Sequence, residues 1–191
     1  MKLVLASTSP FRRALLEKLG LPFGCVSPDV DESRREGEAA PDLVRRLAEA
    51  KARAGGTGLA DALVIGSDQV AVLDGDILGK PGNHERARAQ LMRLSGRTVT
   101  FHTGLCLLNT ATGHAQVDEV PFRVHFRKLT EKQIERYLEK EQPYNCAGSF
   151  KSEALGITLF RRLEGDDPNA LIGLPLIRLT DMLLAEGIEL P

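Results

Sequence analysis

The chain has 191 residues, long enough for a domain with a substantial buried core. Its 25 Lys and Arg residues nearly balance 26 Asp and Glu residues, which gives a formal net charge of −1 and an isoelectric point of 6.4. General binders of nucleic acid polymers or anionic membranes carry a large basic excess, so the composition argues against both classes and the partner must be recognised locally.

The first predicted elements are a strand at residues 3–6 and a leucine-rich helix that ends near Gly20. Ser9 is a good N-cap and Pro10 suits the first helical position. We therefore expect the helix to begin here, with several unpaired backbone N–H groups and the positive end of its dipole facing the preceding loop.

The same turn carries hydroxyl and guanidinium groups, on Ser7, Arg12 and Arg13 among others. Helix N-termini and arginine forks are both recognised ways of binding phosphate. The pattern indicates a site for a phosphate chain, and an ordinary capped helix with solvated arginines is the alternative.

A second strand is predicted at residues 23–27, followed by an acidic loop and by a helix at residues 41–54. The glycines at residues 55–58 match neither the dinucleotide fingerprint nor the phosphate-loop pattern, so they are interpreted as a turn. An unbroken apolar run at residues 62–65 predicts a strand buried on both faces, which ends at the polar Gly66-Ser67-Asp68-Gln69.

Several charged residues are candidates for chemistry. Asp68 either binds a divalent cation or orients a water for attack, or it is a turn aspartate. Glu32, beside Asp31, either helps to hold Mg²⁺ or Mn²⁺ or belongs to a solvated acidic loop. Lys51 and Lys80 are isolated lysines, which usually face solvent, although cleavage of a polyphosphate needs several cations near the leaving group.

The remaining chain alternates between strand-like and helix-like patterns, which is typical of an α/β protein without repeats or a dividing linker. A hairpin is expected at residues 70–81, with an Asp74-Gly75 turn, followed by a helix that Asn83 caps and that runs to Leu94. Strands are expected at residues 98–109 and 116–126, and a Thr130 capping box begins a helix that runs to residue 140. The last expected elements are a strand at residues 157–160, a loop at residues 164–169 and a helix at residues 175–186.

The three cysteines, Cys25, Cys106 and Cys146, are far apart and form no C-x-x-C pair. Neither a disulfide framework nor a zinc site is predicted, and buried free thiols are expected. The short apolar run after Lys2 is no signal-peptide core and no membrane span, so a cytoplasmic protein is expected.

Eight motifs, in order and spacing, resemble those of the Maf family and cover nearly the whole chain. They are Ser7-x-Ser9-Pro10-x-Arg12-Arg13, Asp31-Glu32, Lys51-Ala52, Gly66-Ser67-Asp68, Gly79-Lys80-Pro81, Leu94-Ser95-Gly96, Ala147-Gly148-Ser149 and Gly173-Leu174-Pro175.

The resemblance implies an inosine-triphosphatase-like α/β fold, with a mixed sheet, helices and two lobes around a central cleft, as one domain over residues 1–191. It also implies hydrolysis of a nucleoside triphosphate to a monophosphate and diphosphate, with Mg²⁺ or Mn²⁺ as cofactor. A small-molecule nucleotide would be the partner, without nucleic acid polymer or membrane, and a homodimer would be usual.

The motifs also imply roles for particular residues. By match to the family motifs, Ser7, Arg12, Lys51 and Lys80 lie at positions that bind phosphate. Glu32 lies at a metal-binding or catalytic position, and Asp68 lies at the position of the proposed proton acceptor. Whether Asp68 is chiefly a base or a metal ligand stays open, because an aspartate can play either part.

Within the family, the chain resembles the 7-methyl-GTP branch more than the dTTP/UTP branch at Phe11, Gln69 and Glu153. Methylation at N7 gives guanine a delocalised positive charge that an aromatic face attracts. A carboxylate such as Glu153 can accept both the N1–H and the exocyclic amino group of guanine. For Phe11, core packing with Leu15 and Leu19 is the alternative.

We therefore expect a pyrophosphatase that removes 7-methyl-GTP in house-cleaning of modified nucleotides. A dTTP/UTP pyrophosphatase is one alternative. A nucleotide-binding regulator of cell division without turnover is another, and the retained acidic residues and lysines argue against it.

Overall fold

The computed structural model describes residues 1–191, which form seven strands, six α-helices and two 3₁₀ helices. In chain order these are β1 (Lys2–Ala6), α1 (Pro10–Glu17), β2 (Phe23–Val26), α2 (Ala40–Gly55), β3 (Ala62–Leu73), β4 (Asp76–Leu78), α3 (His84–Leu94), β5 (Thr98–Asn109), β6 (Ala115–Phe126), α4 (Glu131–Glu141), the 3₁₀ helices Ala147–Ser149 and Leu155–Leu159, β7 (Phe160–Glu164), α5 (Pro168–Ile172) and α6 (Leu176–Ala185).

The strands form one sheet in the order β2-β1-β3-β5-β6-β7, with β4 also paired to β3. Strand β1 is parallel to β2 and β3, whereas β3–β4 and β6–β7 are antiparallel. The predicted α/β class with a mixed sheet is therefore confirmed. No helix combines the length and the apolar character needed to cross a membrane.

The chain divides into two compact units. Unit 1 comprises Met1–Gln69, His102–Val120 and Asp167–Pro191, and unit 2 comprises Val70–Phe101 and Pro121–Asp166. Three of the boundaries fall inside strands β3, β5 and β6, so neither unit is a single stretch of sequence.

Unit 1 has an apolar layer on each face of its strands, because successive strand residues point to opposite sides. One layer contains leucines of β1, β3 and β5 packed with apolar residues of α1 and α6. The other layer is made of smaller residues, such as Val4 and Val64, packed on Ala48 and Ala52 of α2. Small side chains at this second layer let α2 approach the strands closely.

Unit 2 contains the hairpin of β3 and β4 and an aromatic core. Asp74 and Gly75 both have positive φ, 52° and 88°, and the register Leu73↔Asp76 closes the predicted two-residue turn. The core rings stack edge to face with centroids 4.9 to 5.4 Å apart, and they belong to Phe101, Phe126, Phe150 and Phe160.

The predicted caps are confirmed in both units. Ser9 caps α1 and Asn83 caps α3 through their side-chain oxygens, and Thr130 with Gln133 forms the capping box of α4. Helix α1 ends at Glu17, slightly earlier than predicted, and Gly20 follows with φ of +67°.

Strand β3 corrects the prediction that a strand ends at Gly66. It continues through Ser67, Asp68 and Gln69, so Asp68 lies within a strand and not after one. The polar residues remain extended because residues from elsewhere in the chain bind their side chains.

Two further predictions near the C-terminus are wrong. Residues 157–159 of the predicted strand belong to the 3₁₀ helix Leu155–Leu159, and pairing with β6 starts at Phe160, opposite Phe126. The predicted loop at residues 164–169 contains the start of α5, whose N-cap is Asp167.

The cysteines are free, and they differ in exposure. Cys106 is fully buried, and this burial raises the pKa of its thiol to about 12. Cys25 is exposed on β2, which lies at the edge of the sheet, and Cys146 is half-buried. The expectation of buried thiols is therefore confirmed for Cys106, wrong for Cys25 and only partly met at Cys146.

Candidate active site

A buried lysine joins two carboxylates in unit 1. Lys51 Nζ lies 2.6 Å from Asp68 Oδ1 and 2.7 Å from Glu32 Oε1. Lys51 and Asp68 are buried, whereas the Glu32 side chain is 61% exposed. A buried ammonium needs a paired carboxylate to offset its lost hydration. Residues far apart in sequence therefore meet in one charged cluster.

Close packing of α2 on β3 brings Lys51 to Asp68. A Cβ atom at Gly66 would lie 2.0 Å from the Ala48 carbonyl oxygen, so only a glycine allows this approach. Lys51 is three residues after Ala48 on the helix, and Asp68 is two residues after Gly66 on the strand. These spacings place both side chains on the facing surfaces of the two elements.

The loop that carries Glu32 is held on α2 by an arginine. Arg46 Nε and Nη2 donate to the two carboxylate oxygens of Glu38, at 2.6 and 2.8 Å, and Nη2 also donates to the Ser33 carbonyl at 3.0 Å. The hydrogen bonds from Arg46 lower the pKa of Glu38 to about 2. Asp31, beside Glu32, accepts a hydrogen bond from Ser33 N at 2.9 Å.

The N-terminus of α1 offers fewer donors than predicted. Ser7 Oγ accepts from Ser9 N at 3.1 Å, and Ser9 Oγ accepts from Arg12 N at 3.4 Å. Pro10 has no N–H group. The expectation of several unpaired N–H groups is therefore wrong for these residues, because the chain's own hydroxyl groups bind them.

Arg12 is anchored to the loop that follows α5. Its Nε donates to the Gly173 carbonyl at 2.8 Å, and Ser67 Oγ donates to the same oxygen at 3.0 Å. Burial lowers the pKa of Arg12, whereas Asp68 and Glu32 act in the opposite direction. The two carboxylates of the Lys51 cluster thus also stabilise the charged form of Arg12.

The neighbouring Arg13 differs from Arg12. Its side chain is 65% exposed and pairs with Glu17 one helical turn later, at 3.4 Å. Such an exposed pair contributes little to stability.

The Gln69 side chain is bound within unit 1. Its Nε2 donates to Thr103 Oγ1 at 3.0 Å and to the carbonyls of Ala170 and Leu171 at 2.8 and 3.1 Å. Thr103 Oγ1 itself donates to the Ala170 carbonyl at 2.9 Å. The amide nitrogen of Gln69 thus holds α5 on β3, and the predicted base contact by Gln69 stays a prediction.

Ser67, Thr103 and Asp167 support this part of unit 1, and no role was predicted for them from the sequence. Asp167 accepts from Asn169 N and Ile177 N at 2.8 Å. A local signal existed for Asp167, since Asp followed by Pro is a helix-start pattern. Thr103 had no comparable signal, because in the sequence it is only a hydroxyl residue within a predicted strand.

The other residues predicted for the substrate are exposed. Phe11 is 40% exposed, so the alternative of core packing is wrong and its contact with a base stays a prediction. Lys80 and Glu153 are exposed residues of unit 2. The segment of Lys80 is held by Gln90, whose Nε2 donates to the Gly79 carbonyl at 2.9 Å.

The donor set suits a hard divalent cation. Glu32 and Asp68 contact the same ammonium nitrogen, which keeps their carboxylate oxygens close to each other. No group of three or more His, Cys, Asp or Glu side chains is gathered to hold a metal. Mg²⁺ is often held by one or two carboxylates together with water and substrate phosphates, so these two residues fit such an ion.

A family model described as Maf-like protein matches residues 2–186 of the chain. The match covers nearly the whole sequence, and the α/β fold with its mixed sheet agrees with it. The chain belongs to the Maf family.

Similar proteins from pseudomonads bear one name. The chain is 61% identical over 195 aligned residues to the 7-methyl-GTP pyrophosphatase of Pseudomonas fluorescens (strain Pf0-1), with 100% of both chains covered. It is 61% identical over 189 residues to the 7-methyl-GTP pyrophosphatase of Pseudomonas aeruginosa (strain PAO1), with 99% of this chain and 98% of that protein covered. The protein of that name from Pseudomonas savastanoi pv. phaseolicola (strain 1448A / Race 6) is 62% identical over 189 residues.

Proposed function

We propose that this protein hydrolyses the α–β phosphoanhydride of 7-methyl-GTP, giving 7-methyl-GMP and diphosphate. It is a nucleoside triphosphate pyrophosphatase that removes a modified nucleotide. The pairing of buried Lys51 with Asp68 and Glu32 carries the proposal, in a chain that aligns over its full length with proteins named 7-methyl-GTP pyrophosphatase.

The reaction is a substitution at the α-phosphorus. Asp68 takes a proton from water, whose oxygen forms the new bond to phosphorus as the bond to the bridging oxygen breaks and diphosphate leaves. Lys51 donates to Asp68 Oδ1 at 2.6 Å and orients this carboxylate. Because charge accumulates on the phosphate oxygens, positively charged groups around them stabilise the transition state.

We assign phosphate binding to Ser7, Arg12, Lys51 and Lys80. The contact between Arg12 Nε and the Gly173 carbonyl fixes one edge of the guanidinium and so limits its orientation. The role of Lys80 rests on the family motif.

Glu32 and Asp68 would hold Mg²⁺ or Mn²⁺, which neutralises phosphate charge when bound. This assignment predicts that a chelator abolishes diphosphate release and that added Mg²⁺ or Mn²⁺ restores it. Activity that persists after complete removal of divalent ions would contradict it.

Recognition of the base is assigned to Phe11, Gln69 and Glu153. The exposed ring of Phe11 suits stacking on a cationic 7-methylguanine. The Glu153 carboxylate suits the two donors on the guanine edge.

The test is diphosphate release from 7-methyl-GTP, GTP, dTTP and UTP, with Asp68→Asn beside the wild-type protein. We expect the highest kcat/KM for 7-methyl-GTP and a loss of kcat of about 10²–10⁴-fold in Asp68→Asn. A preference for dTTP or UTP would contradict the assigned recognition of the base but would agree with the proposed hydrolysis of the α–β phosphoanhydride. Nucleotide binding without turnover of any triphosphate would instead support a regulator.

Two accompanying proposals concern the cell and the assembly. We expect the protein in the cytoplasm, where its nucleotide substrate would be found, and cell fractionation tests this. We also expect a homodimer, and light scattering coupled to size-exclusion chromatography measures it.

A further inference from the structure

Glu153 lies in a short loop that closes on itself. A Cβ atom at Gly156 would lie 2.2 Å from the Lys151 carbonyl oxygen, so the two backbones touch. Ala154 N donates to the same carbonyl at 3.4 Å. The loop therefore comprises residues 151–154 and closes on the first turn of the 3₁₀ helix Leu155–Leu159, and Glu153 is an exposed residue within it.

The last residue of α4 binds both sides of this loop. One carboxylate oxygen of Glu141 accepts from Lys151 Nζ at 3.2 Å, and the other accepts from Leu155 N at 3.2 Å. One turn earlier on the same helix, the buried Tyr137 accepts from Lys151 N through its hydroxyl group at 3.1 Å. Side chains of α4 thus fix the loop on both sides of Glu153.

These contacts differ from those of a surface ion pair. The Glu141 side chain is only 15% exposed, and its two oxygens serve two different donors, a side-chain ammonium and a backbone N–H. A neutral amide at this position would put an NH₂ group, which accepts no hydrogen bond, in place of one of the two oxygens. The donor that faces this group would lose its side-chain acceptor, so a carboxylate fits the two donors better than an amide does.

We propose that Glu141 is a positioning residue for base recognition, because it holds the loop in the conformation in which Glu153 accepts both guanine donors. The inference rests on the proposed function, in which Glu153 binds the base. A carboxylate that accepts two hydrogen bonds must be held accurately, since small displacements lose one of them. Freeing either side of the loop would thus weaken discrimination at the exocyclic amino group.

The experiment compares 7-methyl-GTP with 7-methyl-ITP, which lacks that amino group. The kcat and KM of diphosphate release are measured for the wild-type protein, Glu141→Gln, Glu153→Gln and the double variant. Glu139→Gln is the matched control, since it removes the same charge from an exposed position of α4. Circular dichroism and thermal unfolding identify any variant that fails to fold.

We expect the ratio of kcat/KM for 7-methyl-GTP to that for 7-methyl-ITP to fall about tenfold in Glu141→Gln, mostly through KM. The ratio should be unchanged in Glu139→Gln, and the double variant should be no less selective than Glu153→Gln alone. Tyr137→Phe, which removes one acceptor and keeps the ring, should lower the ratio less and serves as the second variant if Glu141→Gln does not fold.

The outcomes separate the two proposals. If Glu141→Gln lowered kcat/KM equally for 7-methyl-GTP and 7-methyl-ITP, so that their ratio stayed unchanged, the role of Glu141 would be structural only and the inference would be overturned. Additive effects in the double variant would also overturn it. If the wild-type protein released no diphosphate from 7-methyl-GTP, the proposed function would fail and the inference with it.

Discussion

Lys51 is a residue whose surroundings were not evident from its neighbours in sequence. It lies on the apolar face of α2, beside buried alanines, where an unpaired ammonium would be strongly unfavourable. Its pairing with Asp68 makes this position tolerable, and the exposed Glu32 completes the cluster. The same contacts thus serve both the stability of unit 1 and the proposed chemistry.

Replacing Lys51 by methionine should be costly for both properties. Asp68 would lose its buried partner, and removing one member of a buried pair costs about 3–5 kcal/mol in the free energy of unfolding. Urea denaturation measures this loss, and kcat should fall at least about 10²-fold. Arg53→Met is the control, since Arg53 is an exposed member of the same helix. Equal stability of the two variants would contradict the pairing argument.

At the scale of elements, the contact between α2 and the strands depends on glycine. A Cβ at Gly104 of β5 would lie 2.0 Å from the Val44 carbonyl, as one at Gly66 would from Ala48. The helix backbone therefore rests on the strands at two points, and this sets the depth at which Lys51 meets Asp68.

Gly66→Ala should therefore push α2 away from β3. We expect a loss of about 1–3 kcal/mol in the free energy of unfolding, together with lower activity, since overpacking forces the backbone to shift. Gly24→Ala is the matched strand control, because nothing lies within 4 Å of a Cβ there. Denaturant unfolding of both variants is the measurement, and equal effects would count against close packing at Gly66.

The loop that carries Glu32 depends on the pairing of Arg46 with Glu38, and this gives a pH dependence. The folded-state pKa of Glu38 is about 2, below the unfolded value of about 4.3. The stabilising effect is therefore fully present above the unfolded pKa and is lost as the pH falls through the folded one.

Urea midpoints of the wild-type protein and Glu38→Gln test this effect. Their difference should stay constant from about pH 7 to pH 5 and shrink below about pH 4.3. Glu36→Gln, an exposed change in the same loop, should show no such trend. A difference that grows with acidity would refute the assignment.

At the scale of the whole molecule, the cysteines report on folding. The exposed Cys25 should react quickly with an aromatic disulfide reagent, whereas Cys106 should react only when unit 1 unfolds, because it is buried and its pKa is raised to about 12. Timed thiol release in native buffer and in denaturant measures this. Cys25→Ser should remove the fast phase, and rapid release from Cys106 in native buffer would contradict the buried position.

Much of the secondary structure could be predicted because its signals are local. Ser9, Asn83 and Thr130 cap their helices through groups within a few residues, and Asp74-Gly75 closes a turn by its own backbone preference. The prediction was wrong where distant partners decide. Ser67 and Asp68 remain in a strand because Gly173 and Lys51 bind them, and residues 157–159, which precede the paired residues of β7, form part of a 3₁₀ helix.

For the site, the sequence by itself determined which residue types are present and, through the spacing of its motifs, the family to which the chain belongs. Only the tertiary structure decided that Glu32, Lys51 and Asp68 meet, since their contact depends on the close packing of α2 on Gly66. It also decided that Glu141 binds both sides of the Glu153 loop. The physical reason is that helix caps and turns are satisfied within a few residues, whereas buried charges and polar side chains take partners that folding brings from elsewhere in the chain.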